Sequence, residues 1–145
     1  MKEINPQQAY EVMQREPETI YLDVRSIPEF EQGHPAGAIN IPLLHFAPGM
    51  GMMPNNEFLG VVEANIPKEA KIFIGCKTGG RSARACDILS QVGYANVTNV
   101  RGGFLGVVDN FGRIAEPGWS LLDLPICKSC PPDARYNTLS RKPGK

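Results

Sequence analysis

A chain of 145 residues with 42% hydrophobic and 21% charged positions has the size and composition of one ordinary folded domain. Its 15 Lys and Arg balance its 15 Asp and Glu, which argues against a nucleic-acid partner, since that would need a clear basic excess. No apolar run approaches the roughly 20 residues of a membrane span, and Met1–Pro6 lacks the apolar core of a secretory signal; the expectation is a cytoplasmic protein with no membrane partner.

The chain opens with a short helix. Asn5 is placed to cap it, Pro6 suits its first position, and Gln8 completes a capping-box pattern. Ala9, Val12 and Met13 give that helix an apolar stripe, and Glu16-Pro17-Glu18 ends it. Ile20–Val24 reads as a strand, followed by a polar segment rich in Glu, Gly and Pro. Ala38–Ile41 reads as a second short strand closed by Pro42. Residues 45–56, with two Gly, two Pro, three Met and two Asn, read as an irregular loop. A short helix is expected over Glu57–Ala64. Lys71–Gly75 is a buried-strand signal, Lys77–Gly80 a tight turn, and Arg81–Val92 a helix in which Ala85, Ile88, Leu89 and Val92 recur at helical spacing. Gly93 stops it. Val97–Val100 is the next strand, and Gly102-Gly103 a sharp turn out of it. Strands alternating with helices predict an α/β domain built on a mostly parallel sheet.

Four cysteines (Cys76, Cys86, Cys127 and Cys130) are too few and too irregularly spaced for a disulfide framework. Cys76 stands apart because it lies between a buried strand, a glycine turn and a helix start. There, backbone N–H groups lack intrahelical partners and the helix dipole favours negative charge. Gly79 and Gly80 allow successive N–H groups to converge as an anion nest, and Lys77 and Arg81 add positive side chains. This environment favours the thiolate, the attacking form, and would equally hold an anionic persulfide. The chemistry calls for no cofactor and no metal. A cysteine phosphatase or an arsenate reductase would exploit the same physics, so the loop by itself leaves the reaction open.

Three separated segments then narrow it. Tyr21-Leu22-Asp23-Val24-Arg25 with Glu29-Phe30, Gly33–Pro42, and Cys76–Ser82, followed by Gly102-Gly103, resemble the signatures of the rhodanese family over roughly residues 3–126. The resemblance implies a rhodanese-like α/β fold: a central, mostly parallel sheet of about five strands with helices on both faces. It implies a domain over 1–126, while the Pro-, Lys- and Arg-rich stretch over 127–145 reads as an extended tail with a C-x-x-C pair. It also implies a thiosulfate sulfurtransferase in which Cys76 takes a sulfane sulfur from a small anionic donor and passes it to cyanide or a thiol. Lys77 and Arg81 would bind the donor, while Thr78, Gly79, Gly80, Arg81 and Ser82 offer backbone N–H groups. Asp23 and Arg25 would brace the loop. Four residues separate Cys76 from Arg81, whereas the related dual-specificity phosphatases of the Cdc25 type have five. The shorter loop favours sulfur over phosphoryl transfer. A persulfide carrier serving a protein acceptor is the alternative reading, and an arsenate reductase or phosphatase a more distant one.

The remaining candidates read as structural. His34 is expected as a hydrogen-bonded turn residue, His45 as solvated surface with substrate-entrance lining as the alternative, Met50, Met52 and Met53 as core or loop packing ahead of lining an apolar entrance, and Cys86 as a buried helix residue. Cys127 and Cys130 read as an exposed or weakly packed pair without a catalytic role, with resolving-thiol and metal roles behind. Phe104–Pro125 is longer than the family pattern and is expected to be a surface loop. Tyr136–Leu139 is expected to be a short anchoring turn.

Overall fold

The structure is a computed structural model describing residues 2–129 and 131–141. Strand β1 (Glu3–Ile4) leads into α1 (Pro6–Arg15), then β2 (Ile20–Asp23) and α2 (Ile27–Gln32). Two short strands, β3 (His34–Pro35) and β4 (Ile39–Asn40), precede a hairpin of β5 (Leu44–Ala47) and β6 (Gly51–Pro54). Then come α3 (Phe58–Asn65), β7 (Ile72–Gly75), α4 (Gly80–Gln91) and β8 (Val97–Val100). A second hairpin, β9 (Gly106–Val108) and β10 (Ile114–Pro117), is followed by a 3-10 turn at Trp119–Leu121 and β11 (Ile126–Cys127). Another 3-10 turn at Pro132–Ala134 and α5 (Tyr136–Leu139) end the described chain.

Five strands in the order β1-β8-β7-β2-β4 form one parallel sheet, as expected. The pleat divides its side chains between two cores. Leu22, Ile72 and Ile74 join Phe58, Val62, Ala85 and Leu89 from α3 and α4 on one face. Tyr21 and Phe73, the alternate residues of the same strands, join Ala9, Phe30 and Trp119 on the other. Helices therefore cover both faces. Among the described residues, no helix is long and apolar enough to cross a membrane.

The capping box of α1 forms as its sequence predicts: Gln8 N donates to Asn5 Oδ1 at 2.8 Å and Asn5 N to Gln8 Oε1 at 3.3 Å. The polar segment after β2 is more ordered than expected. Ser26 caps α2, and the Glu29 carboxylate accepts from both Ser26 N and Ser26 Oγ. Residues 45–56 are not an irregular loop. They are mostly hairpin β5–β6, closed by Met50 N donating to Ala47 O, with Gly49 at φ +79°. Met50, Met52 and Met53 sit on that hairpin 70%, 39% and 40% exposed, so they do not fill the core.

Phe104–Pro125 holds hairpin β9–β10 and the turn that buries Trp119. The segment expected as an extended tail is docked over its described part. β11 pairs antiparallel with β3, and Tyr136 and Leu139 enter the core beside α3 and α4. The Tyr136 hydroxyl lies 3.2 Å from Asn55 Nδ2, which donates to it.

Candidate active site

Strand β7 ends at the sheet's C-terminal edge, and Cys76 is the next residue, 2% exposed. Gly75 before it has a specific cause. The Tyr21 ring of neighbouring β2 passes over this position, and any Cβ would collide with the Tyr21 hydroxyl. Gly79 then adopts φ +113° and caps α4, a conformation L side chains avoid.

The loop is held from outside by the segment after β8. Phe104 N donates to Cys76 O and Leu105 N to Lys77 O, both at 2.8 Å. Gly103, at φ +56°, lies so close that a Cβ there would collide with the Cys76 carbonyl. The Gly102-Gly103 pair thus clamps the Cys76 loop as well as forming a turn.

Around the sulfur, Gly79 N donates to Cys76 Sγ at 3.0 Å. Among the described residues, the backbone N–H groups of Lys77, Thr78, Gly80, Arg81 and Ser82 find no backbone carbonyl. These unpaired donors belong to the turn and to the first turn of α4, where helix N–H groups have no intrahelical partner. Ser82 Oγ lies 3.4 Å from Cys76 Sγ, 3.1 Å from Gly79 O and 2.5 Å from Asn99 Oδ1. Asn99 Nδ2 donates to Glu3 Oε2 at 3.2 Å. That anchoring turns the amide oxygen of Asn99 towards Ser82, whose single proton serves three acceptors. Sequence reasoning missed Asn99 and Glu3. Only the parallel register, which sets Glu3 beside Asn99, brings them to the loop.

The predicted cations divide. Arg81 is held by Glu29 in a two-point pair at 2.7 and 3.1 Å. Burial would raise the Glu29 carboxyl, but hydrogen bonds from Arg81 and Ser26 outweigh it and hold the pKa at about 2. Arg81 therefore anchors the loop to α2 through its side chain, and its backbone N–H remains among the unpaired donors. Lys77 is exposed and has no ion-pair partner among the described residues.

Asp23 and Arg25 form a buried pair, with Arg25 Nη2 2.8 Å from Asp23 Oδ2 and donating also to Gly33 O at 2.7 Å. Neither side chain has a hydrogen bond to residues 76–82 among the described contacts. The support is indirect: the Arg25 guanidinium lies 4.4 Å over the Phe104 ring, and Phe104 N holds the Cys76 carbonyl.

The other candidates are engaged elsewhere in the fold. His34 is 1% exposed, donates through Nδ1 to Phe30 O at 2.8 Å and stacks on Phe30. His45 is half-buried against the edge of Tyr136 rather than fully solvated. Cys86 is buried in the α4 core, and burial first, then Asp87, pushes its thiol up to about 12. Cys127 is half-buried and donates to Ser129 O at 3.1 Å; its predicted companion Cys130 lies outside the described residues.

Two cavities flank the loop. One of about 290 Å³ is lined by Lys77, Arg25, Glu29, Phe104 and Ser120, among others. The other, of about 430 Å³, lies on the Arg81 side between hairpin β5–β6, α3 and α4. Phe104, Leu105 and Ser120 line the first, so the 104–125 insertion does shape a cavity beside the loop.

Residues 5–110 match the family described as the rhodanese-like domain. Over 84 residues, 58% of this chain and 69% of its relative, the sequence is 40% identical to "Thiosulfate sulfurtransferase 16, chloroplastic" of Arabidopsis thaliana. It is also 40% identical over 90 residues to a senescence-associated protein of Raphanus sativus, a match spanning 62% of this chain but only 49% of that protein. Among solved structures, a protein of M. tuberculosis superposes with a TM-score of 0.74 at 26% identity, covering 89% of this chain and 98% of the other.

Proposed function

Given that the chain belongs to the rhodanese-like domain family, we propose that it is a sulfurtransferase that carries a sulfane sulfur from thiosulfate on Cys76. The reading rests on the seat of Cys76 Sγ: one N–H already on the sulfur at 3.0 Å and five more loop N–H groups without a backbone partner among the described residues. The name of the Arabidopsis relative points to the same donor.

In the first half-reaction the Cys76 thiolate attacks the outer sulfur of thiosulfate. A new S–S bond forms to Sγ, the S–S bond of thiosulfate breaks, and sulfite leaves with the electron pair. Lys77 draws the dianion to the loop, and the free N–H groups stabilise negative charge on the transferred sulfur as an oxyanion hole does. In the second half-reaction, cyanide or a thiolate attacks the outer sulfur and the electron pair returns to Cys76. No external oxidant or reductant enters either step. Ser82 is placed to follow the charge, turning its proton from Asn99 towards Cys76 Sγ when the sulfur is anionic.

Arg81 contributes differently from the sequence expectation. Its guanidinium is occupied by Glu29, so its part in donor binding comes through the backbone N–H. Thiocyanate formation from thiosulfate and cyanide tests the function. The expected result is turnover in the unmodified protein and none in Cys76→Ser; turnover surviving in Cys76→Ser would remove Cys76 from the mechanism.

A further inference from the structure

Thiosulfate is a small dianion, and the loop donors with Lys77 suffice to hold it. They leave unexplained the larger cavity on the other side of the loop. Its volume of about 430 Å³ lies in the range of small-molecule sites. Its walls are largely apolar: Leu43 and Leu44 on the hairpin side, Leu59 on α3 and Ile88 on α4, with Gly80 and Arg81 at the loop end.

Two cations, Arg81 and Arg84, and two amides, Asn55 and Asn56, break this apolar lining. Arg84 is exposed, lines the cavity, and has no ion-pair partner among the described residues, unlike Arg81. Arg81, Arg84 and Ile88 are spaced i, i+3, i+7, so they run along one face of α4 away from the loop, over roughly 10 Å. The hairpin extends the apolar wall. Leu44 pairs with Pro54 and both line the cavity. The next pair on the same face is Phe46 with Met52, 53% and 39% exposed. Large apolar side chains left exposed one pair beyond the cavity wall extend it as a surface that a ligand can cover.

We propose that this cavity is the acceptor site, and that it takes a thiol bearing an anionic group and an extended apolar body. The proposal deepens the sulfurtransferase reading and rests on it. The anion pairs with Arg84, the apolar body lies along Leu59, Ile88 and the Phe46–Met52 wall, and the sulfur reaches Gly80 at the loop. The acceptor thiolate attacks the outer sulfur of the Cys76 persulfide, forming a new S–S bond. The old S–S bond breaks, and its electron pair returns to Cys76 Sγ. The acceptor leaves as a persulfide with no net oxidation.

The test uses protein whose persulfide loading has first been confirmed by mass, so failure of loading, which counts against the function, is separated from failure here. Sulfur transfer is then measured to neutral mercaptoethanol, to mercaptopropionate and to long-chain mercaptooctanoate, with cyanide as the reference acceptor. The expected result is a kcat/KM, relative to cyanide, at least about tenfold higher for the long anionic thiol than for the short one. Phe46→Asp, at an exposed position, should erase the chain-length gain, and Arg84→Gln should erase the advantage of the carboxylate over the neutral thiol. A second readout needs no turnover: octanoate should bind Cys76→Ser protein in calorimetry and lose affinity with Arg84→Gln. Equal transfer to short and long thiols in the unmodified protein, or a chain-length preference untouched by Phe46→Asp, would overturn the proposal.

Discussion

Cys76 and Cys86 are both buried, each 2% exposed, in the same core, yet their polar neighbours differ. Cys76 meets a backbone N–H and a hydroxyl, whereas Cys86 lies among apolar side chains that push its thiol up to about 12. Burial therefore separates nothing here, and the neighbouring donors do. The same reasoning makes Gly103 a sharper test than most polar residues. Gly103→Ala puts a methyl into the Cys76 carbonyl and strains a backbone at φ +56°. It should lower sulfurtransferase turnover by an order of magnitude or more while the far-UV circular dichroism stays native-like. Full activity in Gly103→Ala would show that the clamp does not position the loop.

Between elements, the decisive link runs from α2 to the start of α4 through Glu29 and Arg81. The Glu29 carboxyl sits at about 2 in the folded chain against an ordinary 4.5. A lowered folded-state value means the contribution is complete above about pH 4.5 and fades as the pH falls towards about 2. Thermal unfolding of Glu29→Gln against the unmodified chain should show a Tm gap that is constant at neutral pH and closes on acidification below about 4.5. A gap that widens in acid would contradict the pairing. Elements with strong local signals were readable from sequence: the Asn5 cap of α1, the β7–loop–α4 unit, and β8. The Ser26-x-x-Glu29 capping box with Pro28 in the first turn marks α2, and sequence reasoning passed over it because the segment is short and polar. Hairpin β5–β6 shows only a two-residue alternation, Leu44 and Phe46, before Gly and Pro residues that read as loop, and β1 is two residues long. Its pairing with β8, which delivers Glu3 to Asn99, comes from the sheet and has no local signal.

At the scale of the whole molecule, the C-terminal segment belongs to the core that carries the site. Tyr136 packs with α3 and α4 residues, and its hydroxyl takes a hydrogen bond from Asn55. Tyr136→Ala should therefore destabilise the entire domain by about 3 kcal/mol, read as a lower denaturant midpoint with unchanged slope in a single transition. A separate early transition would instead make the segment an independent appendage. The anchoring turn at Tyr136–Leu139 was legible in the sequence, whereas the pairing of two-residue β11 with β3 was not, because so short a strand leaves no periodicity to read. The α/β class and the Cys76 loop were legible because strands, helices and loop are each written in contiguous residues, and the parallel sheet followed from their alternation. The loop's external clamp and the two flanking cavities were not, because distant segments assemble them. All of these parts serve one claim, that Cys76 becomes a persulfide. Intact-mass spectrometry of the thiosulfate-treated protein, with peptide mapping, tests it most directly. The predicted result is a gain of one sulfur atom on the peptide containing Cys76, removed by cyanide; no gain, or a gain on another cysteine, would contradict it.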